Sequence, residues 1–375
     1  MNYYYIQRYT IKINLLIYIS TNMKSAKIAI IGGGFFGSAI AIELKKKFRN
    51  TYIDLYEKKC DLLMGTSGKN QFRSHRGYHY PRSLNTFLEC ETSSNSFEEL
   101  FRNCLKSSDN FYSISKYGSK TSFNDYINFL DKVRLKYKII NRHPLINREM
   151  SQGIIQANEK LLDINKARVL LKKKLHLLNV NLLLNTNAKI DNNFYKHYDL
   201  IVLSTYDNNN LIKSSLNIET ASYFYQLVEK VIIETPNKFK NFSCVILDGD
   251  FISLDPFDSK KNLHITGHVT KSVLKSINTK NHMKLSKNHT INLNKYFLDI
   301  NNQSVFKKTK KDFKKYFNYF EKSKYHKSFF VVRCTKKNKK DERITSIDFD
   351  KKIISVHSGK WINCVEAGKS IANLI

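Results

Sequence analysis

The stretch IAIIGGGFFGSAIAIELKKK, residues 28–47, joins a short apolar run to a glycine-rich turn and a helical pattern. The apolar run is typical of a buried parallel strand. We expect Gly32 to allow a tight turn, Gly34 to let a phosphate approach the backbone, and Gly37 to let the helix pack closely on the strand. The N-terminus of the helix then offers unpaired N–H groups to the phosphates. The stretch therefore predicts a dinucleotide-binding unit.

The residues around and after the turn support this interpretation. Thr51–Tyr56 predicts a second strand, and Glu57 follows Gly37 by 20 residues, where a carboxylate can accept hydrogen bonds from ribose hydroxyls. Because a carboxylate would repel a 2′-phosphate, the pattern favours FAD or NAD over NADP. The alternative is a glycine-rich turn in another kind of α/β protein. One apolar helix face is predicted from four residues: Phe36, Ile40, Leu44 and Phe48.

The composition is that of a globular protein with one large or two medium domains. The 375 residues are 42% hydrophobic, which excludes a disordered chain. The formal net charge is +31 at pH 7, but the lysines are scattered beside many asparagines and isoleucines. This pattern favours a composition bias and solvated faces over a nucleic-acid interface, which stays the alternative. A basic surface would also attract anionic substrates.

The N-terminal residues and the cysteines bear on localisation. Residues 1–24 are interpreted as an extra segment, with Met23 as an alternative start. The apolar run Ile11–Ile19 is too short to span a bilayer and lacks a small-residue cleavage site. The six cysteines are widely spaced without a C-x-x-C pair, which fits a reducing compartment and predicts no metal site. We therefore expect a cytoplasmic protein without a membrane span.

A polar loop, GTSGKNQFRSHRGYHYPRS at residues 65–83, follows the second strand and has almost no aliphatic residues. Such a composition indicates a functional loop rather than core. Six residues of this loop form a pattern that is found in a known family: Ser67, Asn70, His75, Gly77, Tyr78 and Tyr80. In these residues the chain resembles the FAD-dependent oxidoreductases of the D-amino-acid oxidase type. That family includes glycine and sarcosine oxidases, glycerol-3-phosphate dehydrogenase and L-2-hydroxyglutarate oxidase.

The resemblance implies a noncovalent FAD, with the polar loop wrapped around the pyrophosphate and running along the flavin ring. A covalent bond through His75 is the alternative, and both His75 and His79 could instead only hydrogen-bond within the loop. The implied FAD contacts are Gly32, Gly34, Phe36, Gly37, Glu57, Lys58, Thr66, Ser67, Asn70, His75, Ala188, Ser204, Thr205, Ser358, Gly359 and Lys360. The implied catalytic residues are His79, Tyr80, Arg333 and Lys360.

Two further segments resemble the family. The strand at 198–205 matches one that ends in Ala-Thr-Gly in the relatives, whereas this chain has Tyr206 in place of the glycine. In the closing segment, Arg333 matches a substrate-binding arginine; the alternative is a salt bridge to Asp341 or Glu342. The turn at 358–360 matches the one at the pyrimidine end of the flavin, where a helix N-terminus and Lys360 would stabilise negative charge or assist oxygen reduction.

The predicted fold is α/β, with a Rossmann-like FAD-binding domain interleaved with a mainly antiparallel β substrate domain. Residues 25–90, 151–222 and 328–375 are assigned to the FAD domain, 91–150 to a helical cover and 223–327 to the substrate domain. The Asp248–Gly249 pair predicts a hairpin within the last of these.

The resemblance implies hydride transfer to flavin N5 from a C–H bearing an amine or hydroxyl on a small anionic substrate. The electron acceptor is left open. The alternatives are a flavoprotein acting on tRNA or another nucleic acid, and a catalytically idle FAD-fold scaffold.

Overall fold

A computed structural model describes residues 25–249, 251–336 and 343–375. The predicted extra segment 1–24, with its alternative start, and the residues Asp341 and Glu342 lie outside these ranges. The α-helices are α1 (Phe35–Lys47), α2 (Leu84–Leu100), α3 (Phe123–Lys132), α4 (Ile164–Leu177), α5 (Asn192–His197), α6 (Asn209–Ser215), α7 (Lys287–Asn294), α8 (Phe306–Tyr316) and α9 (Cys364–Leu374).

The strands include several short ones beside the long strands of the large sheet. They are β1 (Lys27–Ile31), β2 (Tyr52–Tyr56), β3 (Arg73–Ser74), β4 (Leu105–Ser107), β5 (Asp109–Ser115), β6 (Tyr137–Ile140), β7 (Ser151–Ala157), β8 (Lys160–Leu162), β9 (Asn181–Leu183), β10 (Leu200–Leu203), β11 (Tyr223–Glu234), β12 (Phe242–Leu247), β13 (Ile252–Asp258), β14 (Leu263–His268), β15 (Val273–Thr279), β16 (Lys324–Lys336), β17 (Ser346–Asp350) and β18 (Ile353–His357).

The predicted Rossmann-like unit is a six-stranded sheet in the order β17–β18–β10–β1–β2–β9. All neighbours run parallel except β17, which is antiparallel to β18. β1 is buried as predicted, with Ile28, Ala29 and Ile30 fully inaccessible. α1 is buried over most of its surface rather than along one face, because it also packs against α9. Asp163 caps α4 by accepting hydrogen bonds from two backbone N–H groups.

The second layer is a nine-stranded, mainly antiparallel sheet in the order β15–β11–β14–β13–β12–β5–β7–β6, with β16 paired to β11. The predicted Asp248–Gly249 turn connects β12 to β13, which pair antiparallel. β5 is the parallel neighbour of β12. Together the two sheets give the predicted α/β class with a separate antiparallel unit.

Two segments contain strands that join a different sheet from the one expected from their predicted domain. Residues 91–150 are not a purely helical cover, since β5 and β6 lie there and both join the antiparallel sheet. Residues 328–336 and 151–157 also belong to that sheet, as parts of β16 and β7, although both were assigned to the FAD domain. An apolar strand pattern identifies a strand but not the sheet it joins, because the pairing partners are distant in sequence.

Two other sequence expectations can be compared with the described residues. Among the described helices, none is both long enough and apolar enough to cross a bilayer. All six cysteines are free thiols, and five of them are buried.

Candidate active site

The glycine turn lies at the carboxyl end of β1, beside the ends of β2 and β10. Gly32 adopts φ +109°, a conformation that L side chains rarely adopt, and its N–H donates to Tyr56 O at 2.8 Å. A Cβ on Gly37 would lie 1.9 Å from Gly32 O, so only glycine allows the helix to approach the strand. The turn geometry and the close packing therefore match the roles expected of Gly32 and Gly37.

Glu57 lies where the sequence predicts, directly after β2 and facing the glycine turn. Its Oε2 accepts a hydrogen bond from Gly33 N at 2.8 Å, and its Oε1 accepts one from Lys59 N at 2.9 Å. These bonds fix a buried carboxylate beside the turn. The next residue, Lys58, is exposed.

Two residues from the implied cofactor list lie near the glycine-turn end of the fold but belong to its apolar packing. Thr186 N donates to the backbone oxygen of Glu57 at 2.9 Å, which places the segment leading to Ala188 beside the end of β2. The Ala188 side chain itself packs against the apolar cluster around β10. Phe36 is half-buried and packs against the core of the parallel sheet. Only the part of each side chain that is not packed against the apolar core could therefore contact a cofactor.

The polar loop crosses the N-terminus of α1. Ser67 Oγ accepts a hydrogen bond from Phe35 N at 3.3 Å and would lie 2.9 Å from a Cβ built on Gly34. Thr66 and Asn70 continue from this point into a cavity of about 390 Å³. Since α1 begins here, its dipole and free N–H groups favour a bound phosphate at this position.

The terminal turn lies close to the glycine turn. Trp361, directly after the turn, stacks on Phe35 in the first turn of α1, with ring centroids 5.2 Å apart. Within the turn, Ser358 Oγ is held by hydrogen bonds from Lys360 N and Thr345 Oγ1. The two turns predicted to hold opposite ends of one dinucleotide are thus joined through one aromatic contact.

The cavity brings together all the predicted catalytic residues. It lies between the carboxyl edge of the parallel sheet and one face of the antiparallel sheet. The predicted residues that line it are Thr66, Asn70, His75, His79, Tyr80, Arg333, Gly359 and Lys360.

The side chains of His75 and His79 are neutral in this cavity, and each can accept or donate a hydrogen bond. Their ring centroids are 5.3 Å apart, and His79 stacks on Phe251 at 5.1 Å. Burial, reinforced by the charge of Lys360, lowers the pKa of both imidazoles well below the usual value. The Nδ1 atom of each is buried and has no hydrogen-bond partner in the described part of the chain. Buried polar atoms normally have partners, so these atoms fit a polar ligand in the cavity.

Lys360 is a buried lysine of the cavity wall, at 5% exposure. Its Nζ lies 3.4 Å from the centroid of the Tyr80 ring. Burial lowers the pKa of Lys360 well below its usual value. The π-face of Tyr80 favours the protonated form, but by less than the loss of hydration disfavours it. The group therefore gains its charge most readily when an anion is bound nearby.

Arg333 projects into the cavity from β16. Its Nε and Nη2 donate to Gln226 Oε1 at 2.8 and 2.5 Å, which fixes the plane of the guanidinium. Burial, with a further effect of Arg343, lowers the pKa of Arg333 to about 10, so it is charged at neutral pH. Among the described residues, Arg333 has no carboxylate within salt-bridge distance. The predicted alternative partners lie outside the described ranges.

At the end of β10, Tyr206 occupies the position where the relatives have a glycine. Tyr206 adopts φ +59°, a conformation that glycine takes more easily. Its ring stacks on His357 with centroids 5.2 Å apart, and its hydroxyl donates to Cys334 O and accepts from Cys334 N. These contacts offset the backbone strain. Nearby, Ser204 Oγ donates to Gly32 O, and Thr205 bonds Asn209.

Several cavity residues were missed by sequence reasoning. Lys230, Gln71 and the Arg82–Asp248 ion pair all line the cavity. Lys230 occurs in an alternating strand of a lysine-rich chain, where nothing local distinguishes it from a solvated lysine. Gln71 and Arg82 belong to the polar loop, and the polar composition of that loop is the feature of the sequence that could have indicated them.

A buried ion network holds the base of the polar loop. Arg73, two residues before His75, donates to Asp255 at 2.8 Å and to Glu159 at 3.2 Å. All three are at most 3% exposed. Tyr112 completes the network by donating to Glu159 at 2.6 Å. Because both carboxylates depend on one guanidinium, the loop and the antiparallel sheet are coupled through Arg73.

Replacing Arg73 with methionine is therefore expected to destabilise the protein by about 3–5 kcal/mol, because it leaves two buried carboxylates without a charged partner. The free energy of unfolding from urea denaturation measures the effect. Arg102→Met removes an exposed arginine and is expected to change stability by less than about 0.5 kcal/mol. Equal stability of the two variants would contradict the prediction.

Comparison with known proteins agrees with the fold. Residues 30–104 match the family model of the NAD(P)-binding Rossmann-like domain. The FAD-dependent monooxygenase kojA of Aspergillus flavus is 39% identical over 75 residues, 20% of this chain and only 17% of that relative.

Solved structures extend the similarity across the chain. Glycine oxidase from Geobacillus kaustophilus aligns with a TM-score of 0.66 at 12% identity, over 93% of this chain and 95% of that one. L-proline dehydrogenase from P. horikoshii gives a TM-score of 0.66 at 14% identity over 93% of each chain.

The parallel sheet, the glycine turn and Glu57 form a Rossmann-like unit, and residues 30–104 match the model of such a domain. The alignments over 93% of the chain narrow the fold further. The protein has the fold of the glycine oxidase and the L-proline dehydrogenase, and the fold that the sequence resemblance implies is confirmed.

Proposed function

We propose that this protein is an FAD-dependent oxidoreductase that oxidises a C–H bearing an amine or hydroxyl on a small anionic substrate. The observation that carries the proposal is that His79, Tyr80, Arg333 and Lys360 line one cavity, between the polar loop and the antiparallel sheet. The solved structures that share the fold over most of the chain include a glycine oxidase and an L-proline dehydrogenase. The monooxygenase relative matches a much smaller part of the chain.

The residues present fit FAD. Glu57 offers a fixed, buried carboxylate to ribose hydroxyls, while Ser67 and the N-terminus of α1 suit the pyrophosphate. The unpartnered Nδ1 atoms of His75 and His79 lie farther along the same path, where the ring would be held. At the other side of the cavity, Gly359 and Lys360 suit the pyrimidine end. Bound FAD supplies the two-electron oxidation itself.

The protein side chains would then position the substrate and manage its charge. Arg333, oriented by Gln226, binds the acidic group and fixes which C–H faces the cofactor. The neutral imidazole of His79, whose Nδ1 has no partner among the described residues, can form a hydrogen bond with the amine or hydroxyl. The Lys360 ammonium stabilises negative charge that develops nearby. The antiparallel sheet covers the cavity and limits access of water.

The test begins with the purified protein, which should be yellow from bound flavin. Anaerobic bleaching of the flavin absorbance is then measured against amino acids, hydroxy acids and matched compounds without the acidic group. Bleaching by an acidic member and not by its neutral counterpart supports the proposal. Colourless protein that does not take up added FAD refutes it. Bound flavin that no compound reduces would favour the idle scaffold.

A further inference from the structure

Arg333 shares its cavity wall with a second cation, Lys230 on β11. β11 and β16 pair antiparallel, and Arg333 on β16 lies opposite Gln226 on β11. Lys230 lies on β11, four residues after Gln226. Residues at even spacing point to the same face of a sheet, so both cations face the cavity that they line. In the described residues, the one hydrogen bond of Lys230 Nζ goes to the neutral amide oxygen of Gln71, at 3.0 Å.

The surface between the two cations is apolar. Val228 lies midway between Gln226 and Lys230, pairs with Val331, and both valines line the cavity. Four strand residues span roughly 13 Å at about 3.3 Å per residue, and the long side chains of Arg333 and Lys230 shorten this gap. A carboxylate bound at each cation would therefore leave room for a few methylene groups over the valines.

We infer that Lys230 is a second anion-binding residue and that the substrate carries two acidic groups joined by a short carbon chain. This inference rests on the proposed function, since it describes the substrate of that same cavity. Lys230 determines specificity: it selects a diacid over a monoacid, while Arg333 binds the acidic group that both kinds of compound share.

The experiment compares glutarate with pentanoate, which have equal chain length but two and one carboxylates. Isothermal titration of FAD-loaded protein should show glutarate binding at least about 10-fold tighter, the effect of one hydrogen bond between charged groups. Lys230→Met should remove this preference and leave pentanoate affinity within about twofold. Lys230→Gln gives the same test if the first variant fails to fold. Lys275→Met, which removes an exposed lysine on β15, serves as the matched control.

The outcomes separate this inference from the proposed function. Flavin-loaded protein that binds glutarate no better than pentanoate overturns the inference alone. A preference that persists in the Lys230 variants overturns it as well. Protein that takes up no flavin refutes the proposed function and the inference together.

The preference should also depend on pH. Burial, with a contribution from Arg333, lowers the pKa of Lys230 to about 8, while Asp255 opposes the shift. His79 also faces Lys230, but its pKa is too low to titrate in this range. Lys230 is protonated below pH 8 and neutral above it, so the affinity for glutarate should fall as pH rises through 8. Pentanoate affinity should stay constant from pH 7 to 9, and parallel profiles would contradict the assignment.

Discussion

Gly34→Glu is expected to weaken FAD binding by at least about 100-fold and to yield colourless protein. A Cβ at position 34 would lie 2.9 Å from Ser67 Oγ, so the added side chain enters the space offered to the pyrophosphate. Two like charges 4 Å apart repel by about 4 kcal/mol at an effective dielectric of 20, which is about a thousandfold in affinity. The backbone at Gly34 has φ −76°, a conformation open to any residue. The loss should therefore come from the binding site, which includes Ser67, and not from backbone strain.

The matched control is Gly65→Glu, in the neighbouring polar loop. A Cβ on Gly65 would meet nothing within 4 Å, and the residue is exposed. This variant adds the same charge close to the site without filling the proposed phosphate position. The two variants are compared by their flavin content, measured as the ratio of the absorbance at 450 nm to that at 280 nm. Their melting temperatures should be about equal. Full flavin content in Gly34→Glu would place the pyrophosphate elsewhere.

The parts of the site that the sequence predicts are those set by local geometry. Gly32 is needed at the turn and Gly37 at the contact between helix and strand, because neither position allows a side chain. The spacing of the glycines is enough to predict both. Glu57 follows from its position at the end of β2, which is also a local feature.

The features that the sequence did not predict depend on contacts between distant segments. Lys230 faces the cavity because β11 pairs with β16, about a hundred residues away, and that pairing leaves no local pattern. The same argument applies to β5 and β7, which join the antiparallel sheet across the chain. Tyr206 replaces a glycine by means of a stack on His357, and this compensation could be recognised only in three dimensions.

Arg333→Met is expected to lower kcat/KM for the best acidic substrate by about 100- to 1,000-fold. Losing one partner of a buried, hydrogen-bonded charge pair costs about 2–5 kcal/mol, and each 1.4 kcal/mol is tenfold. Arg333→Lys should recover only part of the rate, because an ammonium keeps the charge but not the planar fork that Gln226 orients. Stopped-flow bleaching of the flavin under anaerobic conditions measures the rate.

Lys327→Met provides the control, since it removes an exposed cation from the same strand, outside the cavity lining. If general electrostatic attraction by the basic surface controlled the rate, the two variants would lose activity equally, and added salt would remove the difference. If Arg333 binds the substrate directly, only its own variants lose activity, and the loss persists at high salt because the site is buried. An unchanged rate in Arg333→Met would show that its pairing with Gln226 serves the sheet alone.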